Sequence, residues 1–243
     1  PLKKLTLQFL IDFECYFKVE EKQITINKSI QRFRKPIKVA LSKGYLERDP
    51  FMLYKTKSVK TEIVFLSVDE LESLEKHQFS QSRLQLVKDW FVFSCYAGLA
   101  YNEIKNLKKQ HIIKGFDGLF WIEMKREKTQ NNIAIPILFK PQELIDKYAD
   151  DNSEVVFEVL SNQKYNWYLK EIASILGLEK RLTTHTARKT FASTVLLYDD
   201  VPMEIVSQLL GHSSITITED SYGKVVQKKV SEQMVKLNSI LNK

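Results

Sequence analysis

Hydrophobic residues recur at helical spacing over most of this chain, and one short region alternates in the manner of strands instead. Two stretches of the first quarter predict one helix each. Their apolar positions are Leu5, Phe9, Ile11, Phe13 and Phe17, and then Ile30, Phe33, Ile37 and Leu41. Gly44 ends the second pattern. Pro36 falls inside that pattern and predicts either a kink or a new helix start, because proline removes a helix hydrogen bond.

A segment at residues 55–61 interrupts this periodicity, since it carries several lysines and threonines and few large apolar side chains. We interpret it as a linker. Beyond it, residues 67–70 form a capping-box sequence, which predicts a short helix ending near Lys76. Residues 83–96 then predict a long apolar helix that Gly98 ends.

The period changes once in the second part of the chain. Residues 119–124 and 132–137 alternate as two paired strands around the polar turn 125–131, and they predict the only sheet. The rest predicts helices, at residues 141–149, 161–176, 184–197, 202–210 and from 224 onward. The pattern therefore indicates a mainly α fold with a small β-hairpin or sheet, of the α+β class.

Charge divides the chain more sharply than the total of +7 suggests. The first 60 residues hold 14 Lys and Arg against 6 Asp and Glu, a balance of +8, whereas the remainder holds 23 against 24. This distribution predicts a small basic module joined to a nearly neutral larger domain, with domains at residues 1–58 and 59–243. A basic module of this kind indicates a polyanionic partner.

Composition excludes several classes of protein. With 44% hydrophobic and 28% charged residues, the chain is neither disordered nor collagen-like. Cys15 and Cys95 form no CxxC motif, which argues against a disulfide framework and a cysteine metal site and fits a reducing compartment. The longest apolar run, residues 90–101, is shorter than the ~20 residues that cross a bilayer, so no membrane partner is predicted. The chain starts at Pro1 without a signal peptide, and we expect an excised fragment.

Four polar residues of the last quarter have a spacing that suits phosphate chemistry. His185 and Arg188 are three apart on a predicted helix, so both side chains project from one face. The arginine fork matches two phosphate oxygens, and histidine moves protons near neutral pH. Gly211 ends the next helix and places His212 at a turn. Tyr222 follows one short helical segment later and is a candidate covalent nucleophile.

In this order and spacing, His185-x-x-Arg188, Leu209-Leu-Gly-His212 and Tyr222 resemble the tyrosine recombinase (phage integrase) family. A single histidine or tyrosine on a helix is usually a packed or surface residue. The ordered set of four makes coincidence a poor explanation, so we interpret these residues as a catalytic set.

The resemblance extends upstream and covers nearly the whole chain. Residues 96–104, Tyr-Ala-Gly-Leu-Ala-Tyr-Asn-Glu-Ile, resemble the first box of the family. In residues 125–129, Lys-Arg-Glu-Lys-Thr, Lys128 resembles the family's hairpin lysine, although hairpin lysines often serve solubility alone. Residues 27–30 and 40–44 resemble the helical core-binding domain, especially that of integrases from conjugative transposons.

The resemblance implies site-specific recombination of DNA for a mobile element, without metal or high-energy cofactor. Tyr222 would attack the scissile phosphodiester and leave a 3′-phosphotyrosyl bond and a free 5′-hydroxyl. By the same resemblance, Lys128 is the general acid for the leaving 5′ oxygen, and Arg188 clamps the non-bridging oxygens. His185 would assist proton transfer, and His212 would hydrogen-bond the phosphate.

The chain departs from the family at Ala100, where relatives carry the first catalytic arginine. Because a methyl group cannot hold a phosphate and the loss of one charged donor costs about 10²–10³ in rate, we expect impaired cleavage and retained DNA binding. Two explanations are open. The favoured hypothesis is an Arg-to-Ala change introduced to trap a DNA complex, and the alternative is a natural variant in which another cation, such as Arg126, supplies the charge. Lys189, where relatives often carry His, is a second departure without a catalytic role.

Basic residues of the first module are the main candidates for DNA contact. A basic helix face is usually only solvated, but the concentration of charge in this module favours a binding role. The candidates are Lys28, Arg32, Arg34, Lys35, Lys38, Lys43 and Lys189. A metal site made of histidines is rejected, because no pair has ligand spacing.

The resemblance also implies an architecture and partners. Two domains would close around double-stranded DNA from opposite sides as a clamp, and four protomers would act on two duplexes. The last helix, beyond about Val226, would pack on a neighbouring protomer. A DNA-bending accessory protein is a candidate partner, and the bacterial cytoplasm, at the nucleoid, is the expected location. Two other classes stay open: a DNA-binding member of the same fold that does not cleave, and a type IB topoisomerase-like nicking enzyme.

Overall fold

A computed structural model provides the fold of the chain. It describes residues 4–59, 63–126, 131–150, 152–158 and 160–241. The chain divides into two compact units, Pro1–Glu62 and Ile63–Lys243. Both units are mainly helical, and the second contains a three-stranded antiparallel sheet. The mainly α fold class with a small sheet, expected from the sequence, is therefore confirmed.

The first unit is built on the helices α1 (Leu7–Phe17) and α2 (Gln23–Ser42). The Thr6 hydroxyl caps α1 by accepting the backbone N–H of Phe9 at 3.3 Å. Helix α2 continues through Pro36, so the new helix start that this proline allowed is wrong. The apolar faces of the two helices share one core, which contains Leu10, Ile26, Ile30, Ile37 and Phe51.

A buried carboxylate ties the end of the first unit to α1. Glu14 accepts hydrogen bonds from the Tyr54 hydroxyl at 2.8 Å and from Gln23, and it pairs with Lys57 at 3.2 Å and with Lys18 at 3.3 Å. Burial acts to raise the pKa of Glu14, but these partners outweigh it and lower the pKa to about 2. The carboxylate is therefore charged at neutral pH and anchors the segment that carries Lys57.

Helix α4 is the centre of the second unit. The helices of this unit are α3 (Val68–Lys76), α4 (Ser82–Ala97), α5 (Tyr101–Lys105), α6 (Phe139–Lys147), α7 (Asn162–Ile175), α8 (Thr184–Thr190), α9 (Met203–Leu209) and α10 (Ile215–Leu241). Helix α4 packs against α3, α6, α7 and α8 and buries Trp90, Phe91 and Phe93. A helix that is apolar on every side is expected to be surrounded in this way.

Two predicted helix ends are confirmed. At the start of α3, the Ser67 hydroxyl accepts the Glu70 N–H and the Glu70 carboxylate accepts the Ser67 N–H, which completes the capping box. At the end of α4, Gly98 adopts a φ of +62°. A Cβ at Gly98 would lie 2.3 Å from Cδ1 of Phe191. Gly98 is therefore required both for its backbone conformation and for the close approach of Phe191.

The sheet has the order β1 (Ile112–Lys114), β2 (Phe120–Lys125) and β3 (Asn132–Pro136). Strands β2 and β3 are the two that the alternation predicts, and they pair with Ile122 opposite Ile135, both buried. Strand β1 is an addition, because three residues are too few to show an alternation. Contacts of β3 with α9 place this sheet beside the second half of the unit.

The single α-helix predicted over residues 184–197 is only partly correct. Helix α8 ends at Thr190, and a π-helical segment, Phe191–Leu196, and a 3₁₀ turn, Leu197–Asp199, follow it. Periodicity over six residues does not separate these helix types, because their repeats differ by less than one residue per turn. The short helix α5 is not predicted either.

The last helix begins earlier than the sequence predicts. Helix α10 starts at Ile215 instead of Lys224, so Tyr222 lies inside it and not ahead of it. Residues 213–218, Ser-Ser-Ile-Thr-Ile-Thr, consist of types with modest helix propensity, which explains the missing signal. No helix in the described part of the chain is long and apolar enough to cross a membrane.

Candidate catalytic site

Hydroxyl groups hold α8 in a fixed orientation. The Thr183 hydroxyl caps the helix by accepting the Thr186 N–H at 3.1 Å. The buried Thr190 hydroxyl accepts the N–H of Leu66 at 2.9 Å and donates to the carbonyl of Thr186 at 2.9 Å. These bonds fix the rotation of α8 and therefore the direction in which Arg188 extends.

The guanidinium of Arg188 joins the ends of two other helices. Its Nη1 donates to the carbonyl of Gly98 at 2.6 Å, and its Nη2 donates to the carbonyl of Leu210. These carbonyls terminate α4 and α9, where the helix dipole is negative. Burial and the charge of Arg126 lower the pKa of Arg188 to about 10, so the group is positively charged at neutral pH.

Arg126 is a buried cation with unused donors. Its backbone N–H donates to the carbonyl of Asn131 at 2.9 Å, and its side chain turns inward, with Nε 3.6 Å from Oε1 of Glu103. Neither Nε nor Nη2 donates a hydrogen bond to a residue that the structure describes. Buried polar groups in proteins nearly always have partners, so unfilled guanidinium donors point to an anionic ligand.

The two arginines meet at the end of α9. The Leu210 carbonyl binds Arg188, and a Cβ at the next residue, Gly211, would lie 2.9 Å from Nε of Arg126. Gly211 has a φ of +58°. A side chain at Gly211 would therefore strain the backbone and collide with the Arg126 guanidinium.

The segment that contains Ala100 contacts both Arg126 and Arg188. The N–H of Ala100 donates to Oε2 of Glu103 at 2.7 Å, and the other oxygen of this carboxylate faces Arg126. Two residues before Ala100, the carbonyl of Gly98 accepts its hydrogen bond from Arg188. The segment around Ala100 thus lies beside the guanidinium groups of Arg126 and Arg188.

His212 lies at the turn after α9, as expected from the sequence. It is half-buried, and its Nδ1 is 2.8 Å from the hydroxyl oxygen of Thr218. Burial, together with the charges of Arg188 and Arg126, lowers the pKa of His212 below its usual value. The imidazole is therefore neutral at physiological pH.

Tyr222 is buried in an apolar cluster. Its side chain is only 5% exposed and belongs to the cluster that includes Phe191, Val206 and Leu210. Burial raises the pKa of Tyr222, and the nearby charge of Arg188 counteracts part of this rise. The hydroxyl is therefore protonated at neutral pH, and it has to lose its proton to act as a nucleophile.

In the structure Arg188, His212 and Tyr222 lie close together, since the charge of Arg188 acts on both of the others. His185 is exposed and makes no hydrogen bond or ion pair with the described residues. Lys189, on the same helix, is half-buried. Lys128 lies outside the described residues.

The basic residues predicted in the first unit are all on its surface. Those with exposed side chains are Lys28, Arg32, Arg34, Lys35, Lys38 and Lys43. Lys28, Arg32 and Lys35 recur at helical spacing on the face of α2 opposite its buried residues. Arg34 is engaged within the unit, because it pairs with Asp49 at 3.9 Å.

Two residues of this site are missed by the sequence analysis, Glu103 and Thr218. Glu103 has a detectable signal, since it stands three residues after the helix N-cap at Ala100, where a carboxylate commonly caps. Thr218 has none, because its contact with His212 depends on how the turn after α9 folds back on α10.

Comparisons with known proteins show the family of the chain. The profile of the phage integrase family matches residues 64–229, and that of the phage integrase SAM-like domain matches residues 1–59. Tyrosine recombinase XerC of Rickettsia prowazekii (strain Madrid E) is 26% identical over 174 residues, which are 67% of this chain and 54% of that protein. Tyrosine recombinase XerD of Listeria monocytogenes serotype 4b (strain F2365) is 26% identical over 230 residues, 86% of this chain and 75% of that protein. The chain thus spans about half the length of the XerC relative.

Solved structures with the same fold are complexes with DNA. The XerH site-specific recombinase bound to palindromic difH substrate, a post-cleavage complex, superimposes with a TM-score of 0.75 at 16% identity, covering 100% of this chain and 74% of that one. The Tn1549 transposon integrase in complex with a circular intermediate DNA has a TM-score of 0.72 at 17% identity, covering 96% and 87%. At such identities the likeness establishes the fold.

Proposed function

Because the chain belongs to the phage integrase family, we propose that it is a site-specific recombinase of a mobile element, which cleaves and rejoins double-stranded DNA through a 3′-phosphotyrosyl bond. The observation that carries this proposal is the convergence of Arg126, Arg188 and His212 at the end of α9, beside the helix that bears Tyr222. Two guanidinium groups and an imidazole suit a phosphodiester, whose charged oxygens they can bind as charge develops.

In the proposed reaction, the Tyr222 oxygen forms a bond to phosphorus as the bond from phosphorus to the 5′ oxygen breaks. The tyrosine loses its hydroxyl proton, and the departing 5′ oxygen gains a proton. Following the family pattern, His185 assists the first transfer and Lys128 supplies the second proton. The phosphotyrosyl bond conserves the energy of the broken phosphodiester, so rejoining requires no ATP and no metal.

Arg126 is our candidate for the cation that Ala100 does not supply. Its guanidinium shares the Glu103 carboxylate with the backbone of Ala100, and two of its nitrogens are unfilled among the described residues. This position suits the hypothesis that another cation supplies the charge. We therefore propose that cleavage depends on Arg126 and Arg188 together.

Covalent trapping on a nicked suicide duplex tests the function. The duplex carries the junction of the element that encodes the chain, and the nick lets the short 5′-hydroxyl fragment diffuse away after cleavage. We expect an SDS-resistant protein–DNA adduct from the chain as it stands. A gel shift without any adduct would instead support the second candidate function, a non-cleaving DNA-binding protein, for which Ala100 is the supporting observation. Relaxation of supercoiled DNA without pairing of two sites would indicate the topoisomerase-like class.

For the first unit we propose that the exposed face of α2 binds DNA phosphates. Lys28, Arg32 and Lys35 project together from this face, Lys38 and Lys43 are further candidates in the same unit, and Lys189 is a candidate in the second unit. Arg34 is expected to contribute less to phosphate binding, because Asp49 already neutralises part of its charge.

The triple variant K28Q/R32Q/K35Q tests the basic face. Each lost phosphate contact lowers the slope of log Kd against log salt by about 0.9, so we expect a slope smaller by about 2–3 and weaker binding at low salt. Fluorescence anisotropy with a labelled duplex measures both. The control Lys22→Gln changes a lysine at the start of the same helix and should leave the slope nearly unchanged. An unaltered slope in the triple variant contradicts the assignment.

The end of α10 supports a proposal about assembly. Lys229 donates to the carbonyl of Leu197 at 3.1 Å and pairs with Asp200 at 2.7 Å, which fixes this part of α10 to its own unit. Beyond Lys229 an apolar stripe is exposed, and it contains Val230, Met234, Leu237 and Leu241. We propose that this stripe packs on a neighbouring protomer in a homotetramer on two duplexes.

Deletion of residues 230–243 tests whether the exposed stripe packs on a neighbouring protomer. We expect the truncated chain to bind a single duplex normally but to lose the four-protomer complex on two duplexes, because the exposed stripe is removed while the contacts of Lys229 stay. Mass photometry of the DNA complexes resolves the two species. The control Ser231→Ala should assemble like the unaltered chain. Unchanged assembly by the truncated chain is the contrary result.

The proposed function implies the bacterial cytoplasm, at the nucleoid, as the site of action. Cys15 is exposed and Cys95 is buried, and both are free thiols, which is in keeping with a reducing compartment. A DNA-bending protein is the proposed accessory partner, since a bend would bring two core sites together.

A further inference from the structure

The hydroxyl of Thr218 makes an unusual contact with His212, a residue of this site. Thr218 is fully buried in the first turns of α10, and its hydroxyl oxygen is 2.8 Å from Nδ1 of His212. A threonine inside a helix commonly directs its hydroxyl to the carbonyl four residues earlier. Here the only side-chain hydrogen bond of Thr218 within the described chain goes to the imidazole.

We propose that Thr218 is a positioning residue for His212, an inference that rests on the proposed function. The Thr218 hydroxyl donates its proton to Nδ1, which places the single ring proton of the neutral imidazole on Nε2. The Nε2–H then faces away from Thr218 and donates to a non-bridging oxygen of the scissile phosphate. Thr218 itself does not touch the DNA.

The charges around His212 explain why the ring proton needs a fixed position. The charges of Arg188 and Arg126 act on the imidazole, and Glu103 is paired with Arg126. In this cationic and partly buried setting the imidazole is neutral and has one proton to place. With that proton on Nδ1, the Nε2 lone pair would face the phosphate and repel it. A hydroxyl that donates to Nδ1 prevents this tautomer.

The same bond connects the phosphate-binding turn to the helix of the nucleophile. Thr218 and Tyr222 are four residues apart on α10, so they lie on one face, a single turn from each other. Both are buried. Any movement of this part of α10 that displaces Tyr222 therefore also acts on the orientation of His212.

Two substitutions separate positioning from packing. Thr218→Val keeps the shape of the side chain but removes the hydroxyl, and Thr218→Ser keeps the hydroxyl. We expect Thr218→Val to slow adduct formation on the nicked suicide duplex about tenfold, the worth of one hydrogen bond of this kind. Thr218→Ser should restore most of the rate. Thr216→Val, at an exposed position of the same turn, is the matched control.

A spectroscopic readout follows the tautomer directly and needs no DNA. The chain has 4 histidines, so a ¹⁵N-histidine-labelled sample gives few imidazole signals, and the His212 signal is identified as the one that His212→Gln removes. We expect the Nε2–H tautomer in the unaltered chain and a mixture of tautomers in Thr218→Val.

The proposal fails if Thr218→Val keeps the full rate, if Thr218→Ser is as slow as Thr218→Val, or if the His212 tautomer is the same in the valine variant. If the unaltered chain forms no adduct, the proposed function fails instead, and the tautomer measurement on the free protein still decides the inference about Thr218. Thermal unfolding of each variant confirms that the fold is retained.

Discussion

Tyr222→Phe eliminates the covalent protein–DNA adduct and leaves DNA binding intact. The substitution removes the only atom that would bond to phosphorus, so the expected loss is complete. The phenyl ring still fills the buried site beside Phe191, Val206 and Leu210, so the fold should not change. The measurement is SDS gel electrophoresis after incubation with the nicked suicide duplex, with a gel shift run in parallel to record binding.

Tyr198→Phe is the matched control for this experiment. Tyr198 is a partly buried tyrosine that packs against the same cluster, and it has no assigned role in cleavage. Its variant should form the adduct at the rate of the unaltered chain. An adduct that persists in Tyr222→Phe would mean that another residue attacks the DNA, and mass spectrometry of the DNA-linked peptide would identify it.

Arg126→Gln lowers the rate constant for adduct formation by about 10²–10³, the usual cost of one preorganised charged donor. The reason is that Arg126 is linked to the Ala100 segment through the shared carboxylate of Glu103 and has unfilled donors among the described residues. Arg126→Lys keeps a positive charge without the planar fork and should retain part of the rate. Single-turnover trapping measures all three rate constants.

Two further variants make the result on Arg126 decisive. Lys125→Gln changes the adjacent exposed cation of the hairpin and should have little effect. Ala100→Arg in the Arg126→Gln background restores a guanidinium to this segment, and we expect it to recover part of the lost rate. If the unaltered chain is inactive and Ala100→Arg alone forms the adduct, Arg126 does not supply the missing charge, and the chain is a disabled recombinase.

Much of the fold was predictable because its signals are local. The capping box at Ser67 and Glu70 and the stop at Gly98 depend on residues within one turn of each other. The alternation of β2 and β3 was equally clear, since one face of each strand is buried. The early start of α10 was not predictable, because residues 213–218 favour helix only weakly and gain their helical state from packing.

In the candidate site, too, some features were predictable from the sequence and others were not. The spacing of His185, Arg188, His212 and Tyr222 indicated the chemistry, because these residues cluster within 40 positions of the chain. Placing Arg188 against the carbonyls of Gly98 and Leu210 required the structure. His185 shares α8 with Arg188 and is exposed there, which its spacing from Arg188 did not indicate.

The sequence by itself determined the helical class of this protein, the basic first module and the residue types that can bind and attack a phosphate. These follow from periodicity, charge and order along the chain. Only the tertiary structure decided that Arg126 lies buried beside the Ala100 segment and that the Thr218 hydroxyl contacts His212. The reason is that both contacts join segments whose meeting depends on how separate elements pack: a hairpin on a helix end, and a turn on the following helix.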